Sequence, residues 1–346
     1  MTTGVNLIPR NRLALIPENL RLAHEYCFFI HDECTRILLE YEGAKAYAVS
    51  IKFRTERDAK IFSTKTAKRN PISTMRSLGY EIEARQVILN QITMAMVSDC
   101  LHHIFEALKC LEKRKVVVAF NLLRKPLTDN LLYLSWMLGD EDAFYLAFTK
   151  NSPRGITSSK LKSKRSEIIS NALAVTQISH ILDSIFIDKV LFDKSNDMGF
   201  QKLFQHAVHL VTVQEVNLET APENFNFIFY GNDHDDLYLA TYHVLPNALL
   251  YLSHVIFKLF ERIAAPDEGS KIAFNVRSIL GFYLLQGGDL KSYAVQSLSA
   301  LKIIECPDCQ SPLKMTAHNA ARMILTESFR CVKCRRRQPF PFSWIF

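Results

Sequence analysis

Apolar positions along the chain recur mostly with the period of a helix. From Asn19 onward Leu22, Tyr26, Phe29, Ile30, Ile37 and Leu38 step by three and four, which places them on one helix face. The strongest stripe runs from Glu81 to Arg114, where Met94, Val97, Leu101, Ile104, Leu108 and Leu111 align and Asp99 and His103, four apart, can meet on another face. Val116 to Leu138 repeats the spacing through Phe120, Leu123, Leu127, Leu131 and Leu134, so the two stretches are expected to pack together. Pro126 interrupts the second. It has no N–H and restricts Lys125, so the chain kinks there or begins a new helix with Pro126 in its first turn. Further helices are expected over 140–148, 166–192, 200–213, 237–263 and 273–285. The connections are an extended lead-in over 1–20, a short strand or continued helix at Tyr47 to Phe53, a basic loop over 54–80, a Ser- and Lys-rich linker over 151–165, and an acidic loop from Asn217 to Gly231. The fold class that follows is mainly α, with a helical body over 21–302 and a small C-terminal module of β-hairpin type over 303–346.

Leu237 to Phe257 carries no Asp, Glu, Lys or Arg and is about long enough to span a bilayer. Thr241, His243, Pro246, Asn247, Ser253 and His254 within it would be costly in lipid, so it reads as a buried helix and no membrane is expected.

With 346 residues, 48% of them apolar and 22% charged, the chain can bury a large core and has the balance of a folded protein. The net charge of +7 is unevenly placed. Lys52 to Arg76 and Lys150 to Arg165 are basic, whereas Glu215 to Asp236 is acidic without a Lys or Arg. Divided basic surfaces of this kind suit an RNA or DNA backbone, and they equally suit solvated loops. Cys27, Cys34, Cys100 and Cys110 fall in helical stretches behind no signal peptide, which suggests reduced thiols in a cytoplasmic setting. No GxGxxG or Walker-type loop is present, which argues against a P-loop nucleotide hydrolase.

The other four cysteines carry the most specific signal. Cys306-Pro-Asp-Cys309 and Cys331-Val-Lys-Cys334, twenty-one residues apart, are two knuckles whose four thiolates can surround one tetrahedral Zn²⁺, as in a zinc ribbon. Four sulfur ligands leave no open position for water, so the metal is expected to be structural. His318, between the knuckles, is expected at the surface. Lys333, Arg335, Arg336 and Arg337 hang a cationic cluster on the second knuckle, fit to meet nucleic acid, while ribbons also dock protein partners.

Phe120-Asn-Leu-Leu-Arg-Lys-Pro-Leu-Thr-Asp-Asn-Leu-Leu-Tyr-Leu134 and Phe204-Gln-His-Ala-Val-His-Leu-Val211 resemble, in these two pieces and in helical layout over about 20–265, the HEPN-type proteins of bacterial toxin and defence systems. Many of those are metal-independent ribonucleases with an Arg and a His four to six residues apart on one helix. Here no Arg precedes His206 or His209 at that spacing, and Lys202 stands in its place before His209. The resemblance implies a catalytic set of Arg124, Lys202, His206 and His209. One neutral His would take the ribose 2′-OH proton, a cation would hold the scissile phosphate, and the second His would protonate the leaving oxygen. Two expectations follow: an RNA-directed defence effector, or a non-enzymatic helical scaffold whose ribbon docks protein or nucleic acid. A two-fold homodimer is the expected assembly.

Overall fold

The apolar stripes fold into helices and the protein is mainly α. The computed structural model describes residues 4–66, 70–150, 153–213, 220, 222–223, 225–226 and 235–340. In chain order the helices are α1 (Arg21–Gly43), α2 (Glu56–Thr66), α3 (Pro71–Ser77), α4 (Glu81–Leu111), α5 (Val116–Lys125), α6 (Leu131–Gly139), α7 (Glu141–Lys150), α8 (Ser158–Leu161), α9 (Arg165–Ala174), α10 (Ser184–Phe192), α11 (Phe200–Val208), α12 (Asp235–Ile263), α13 (Glu268–Leu285), α14 (Gly288–Ser297) and α15 (Ala317–Thr326). Two short strands, β1 (Ser328–Arg330) and β2 (Arg337–Pro339), pair antiparallel with Phe329 opposite Gln338.

Helices α1 and α12 form the centre. Tyr26, Cys27, Phe28, Phe29 and Ile30 are buried in succession, as are Val244 to Leu250, Asn247 excepted, which is the signature of helices enclosed on all sides. The uncharged stretch lies in α12, and 83% of its most apolar window is covered by the protein itself. Helix α4 packs on α1 and α5, helices α6 and α9 close one side, and α13 with α15 closes another. The first described residues join this core through Val5, Ile8, Leu13 and Ile16, and Arg12 forms an ion pair with the buried Glu112, its Nε 2.8 Å from Oε2.

Several expected connections are structured. Residues 54–80, expected as a loop, contain α2 and α3. Asn70 caps α3 by accepting from Ile72 N at 2.8 Å, Pro71 opens the helix, and Met75, Tyr80 and Ala84 anchor a small core of their own. The 151–165 linker contains α8 and short 3₁₀ turns. The stretch over 166–192 is two helices, because the Asp183 side chain accepts from Ile185 N at 3.0 Å and starts α10 afresh. At Pro126 the chain makes a π-helical turn over Pro126–Asn130 between α5 and α6, so the missing N–H is absorbed by a wider turn. Most of the acidic loop lies outside the described residues.

Candidate metal centre and its cationic surround

Both knuckles close by the same backbone pattern. The amide of Gln310 donates to the Cys306 carbonyl at 2.8 Å and that of Arg335 to the Cys331 carbonyl at 3.0 Å. Cys306 N donates to Ser311 O at 2.9 Å, and Cys331 N to Arg336 O at 3.0 Å. Gln310 and Arg335 take positive φ of 53° and 61°, the left-handed residue that lets each turn fold back. Between the knuckles α15 is capped by Thr316, whose side chain accepts from Asn319 N at 3.1 Å. Buried Asn319 accepts from Arg330 N at 3.0 Å and donates to the carbonyls of Lys314 and Arg330, tying β1 to the end of the first knuckle.

The four sulfurs converge. Cys306 and Cys334 Sγ are 3.6 Å apart, as are Cys309 and Cys331 Sγ, and all four lie within 4.8 Å of one another. A disulfide would bring a pair to about 2.05 Å. Tetrahedral thiolates on bonds of about 2.3 Å stand about 3.8 Å apart, so the donor set fits one metal ion. Hydrogen bonding with the Ser311 hydroxyl and backbone draws the Cys309 thiol down to about 6. The Gln338 amide donates to Cys306 Sγ at 3.7 Å and to Asp308, a second layer that orients the sulfur.

Of the cationic cluster, Lys333, Arg335 and Arg336 are exposed on the outer side of the second knuckle, and Arg336 is within 3.4 Å of Asp308. Arg337 is exposed as well, but its guanidinium is engaged, donating to Ser328 Oγ at 3.0 Å and toward the Thr326 carbonyl. Two arginines missed in the sequence stand beside this cluster. Arg330 on β1 donates to the Arg335 carbonyl at 3.0 Å, and Arg322, 3% exposed, donates to Val5 O at 2.8 Å and to Ser328 Oγ at 3.3 Å. Arg322 could have been found from the sequence as a cation inside an apolar run, among Ala320, Ala321, Met323, Ile324 and Leu325, where a charge must be paired or face a cleft.

The structure does not assemble the expected catalytic set. Arg124 lines a cavity of about 760 Å³ with Lys162, Arg165, Lys189, Asp129 and Asp188, and neither His206 nor His209 is among its walls. Among the described residues Arg124 makes no ion pair; the pair in that region is Lys125 with Asp99, 2.8 Å apart, with Asn130 donating to the same carboxylate at 2.6 Å. Lys202 is paired with Asp197 at 2.6 Å. His206 and His209 do not share a helix face, because α11 ends at Val208. His209 is extended, with φ −112° and ψ 124°, and exposed. The β-branched run around Val211 to Val213 favours extended chain. Asn226 holds that run in place, donating to the His209 carbonyl at 2.7 Å and from its own amide to Leu210 O at 2.8 Å. Asn121 on α5 donates to Ala207 O near the end of α11, whereas Arg124, one turn on, shares its cavity with Gln201 at the start. The helices therefore run antiparallel, and Gln201 and His209 are separated by roughly 12 Å of helix rise.

No protein-family model, curated protein or solved structure matches the chain.

Proposed function

We propose that this is an RNA-binding protein in which Zn²⁺ holds the two knuckles and the outer side of the second knuckle grips the phosphodiester backbone. The observation that carries the reading is the placement of Lys333, Arg335 and Arg336 on and beside the turn that presents two of the four convergent thiols, with Lys333 and Arg335 making no ion pair among the described residues. Cations free of carboxylate partners on a rigid turn lose little entropy when they meet phosphate. An all-thiolate, closed donor set is the chemistry preferred by Zn²⁺ and leaves it no catalytic position. The resemblance of residues 120–134 and 204–211 to HEPN-type defence proteins, which rests on the sequence alone, is what suggests RNA as the polyanion. Cleavage is not part of the proposal, because Arg124 and His209 flank opposite ends of α11.

The test is fluorescence anisotropy with a labelled single-stranded RNA across a salt series. Log affinity should fall against log salt with a slope near −2, from about 0.7 per neutralised phosphate for three cations. The combined variant Lys333→Ala, Arg335→Ala, Arg336→Ala should lose at least about tenfold in affinity at low salt. Unchanged binding in that variant would sink the reading, and RNA degradation abolished by His209→Ala would restore the ribonuclease expectation. Metal analysis of the purified chain should give one Zn²⁺ per protein.

A further inference from the structure

Between the N-terminal segment and the ribbon lies a second cavity, of about 340 Å³, whose charged and titratable walls are Arg10, Arg21, Arg322, Arg330, His318 and Glu18. Four guanidinium groups face one carboxylate there, and among the described residues none of the four makes an ion pair. Their hydrogen bonds go to neutral groups. Arg10 donates to Asn6 Oδ1 at 3.0 Å, Arg21 to Ile16 O at 3.3 Å and Arg330 to Arg335 O at 3.0 Å.

Arg322 is the anomaly. It is 3% exposed, its Nε has no partner among the described residues, and its fixed partners are one carbonyl and one hydroxyl. A buried guanidinium without a counter-charge is costly, and Arg330 and Arg337 add repulsion to it. Burial and these two neighbours hold its pKa below the usual arginine value, with only Glu25 opposing them. A dianion in the cavity would offset all of these terms together.

We propose that this cavity is a binding site for a phosphate monoester, with Arg322 at its base and Arg10, Arg21 and Arg330 around its rim. Guanidinium forks match the oxygens of a terminal phosphate, and a monoester dianion neutralises more of the cluster than a backbone diester does. The volume holds a group the size of a sugar phosphate, for which Glu18 offers an acceptor to a hydroxyl. The site stands apart from the RNA-binding proposal: its walls come from the N-terminal segment, α1, α15 and Arg330, and include none of Lys333, Arg335 or Arg336.

The experiment uses the full, metal-loaded chain. Calorimetric titration with inorganic phosphate and with adenosine 5′-monophosphate should show saturable one-site binding. The double variant Arg10→Gln, Arg21→Gln, at two rim positions away from the buried guanidinium, should weaken it at least tenfold. Glu18→Gln should keep the site and raise affinity for inorganic phosphate. A 5′-phosphorylated oligoribonucleotide that binds at least tenfold tighter than its 5′-hydroxyl counterpart, with the difference lost in the double variant, identifies the ligand as an RNA end. Equal binding of the two oligonucleotides alongside saturable mononucleotide binding identifies a free phosphate monoester. Absence of saturable binding by both phosphate and mononucleotide, or full affinity in the double variant, overturns the proposal. Loss of RNA affinity in the ribbon triple variant without change in mononucleotide affinity shows that the two sites are separate.

Discussion

His254 stands inside α12 with Nε2 3.1 Å from Ser278 Oγ, and Ser278 gives its own proton to the Phe274 carbonyl at 2.7 Å. The imidazole therefore donates through Nε2 and is held neutral. Burial pushes its pKa down to about 3, with Lys258 adding to the shift. The unfolded chain takes up a proton below about 6.5 while the native protein does not, so the stability from this group is complete above that pH and is lost as pH falls toward 3. The slope is up to about 1.4 kcal/mol per pH unit. Urea unfolding at pH 7 and pH 5 should give a lower midpoint at pH 5, and His254→Gln should narrow the gap between them. An unchanged gap would mean that other groups carry the acid sensitivity. Arg277 makes a different kind of residue-scale claim. It is 3.0 Å from Glu33 and 3.0 Å from Glu327, donates to the Ile324 carbonyl at 2.9 Å and covers the Phe29 ring. Arg277→Met should cost about 3–5 kcal/mol because it leaves the buried Glu33 carboxylate with Arg36 alone. Arg277→Lys should recover only part of that, since Lys lacks the fork that reaches carbonyl and carboxylates at once. A loss under about 1 kcal/mol in the Met variant would mean that Glu33 finds solvent without cost.

At the scale of elements, the helical period located α4 almost to the residue, because Val97, Leu101, Ile104, Leu108 and Leu111 face one packed surface. The same signal failed over 54–80. There α2 has no fully buried side chain among the described residues, and the helices rest on a core of Met75, Tyr80 and Ala84 that is too small to stamp a period on the sequence. Asn70-Pro71 was the readable sign, a cap followed by proline in the first turn. The knuckles were legible from cysteine spacing alone, but not the depth to which the helix between them is built in. Ala320, Ala321, Met323, Ile324 and Leu325 are all buried, and α15 packs against α13. The two knuckles and α15 therefore depend on different forces: apolar burial holds the helix, and a metal on the four convergent thiols would hold the turns. Chelation at neutral pH should accelerate amide exchange across 304–313 and 328–340 while α1 and α12 stay protected and most of the helical circular dichroism remains. Loss of the whole helical signal on chelation would mean that the body requires the metal to fold.

Across the whole molecule, one residue near the start of the chain, Val5, ties the centre to the ribbon. The Val5 amide donates to Glu25 of α1, joined by Ile8 N at 3.3 Å, while the Val5 carbonyl accepts from Arg322 of α15 at 2.8 Å. Glu25 is fully buried, and that burial raises its pKa although the backbone amides of Val5 and Ile8 oppose the shift. No periodicity in residues 1–20 announces this arrangement, because the segment is irregular and the backbone groups of Val5 and Ile8 pair with side chains 17 to 317 residues away. Deleting residues 1–8 removes the burial of Val5 and Ile8, worth about 3–6 kcal/mol together, and leaves both Glu25 and Arg322 with unfilled hydrogen bonds. The deletion should therefore do more than lower the unfolding midpoint. Since α15 joins the two knuckles, a loosened Arg322 end should let them separate more often, and the truncated chain should release its metal to a chromogenic chelator several times faster than the full chain. A truncated protein that is less stable yet releases metal at the original rate would show that the ribbon is held by its sulfurs and α13 alone, and that the Val5 link stabilises only the N-terminal segment.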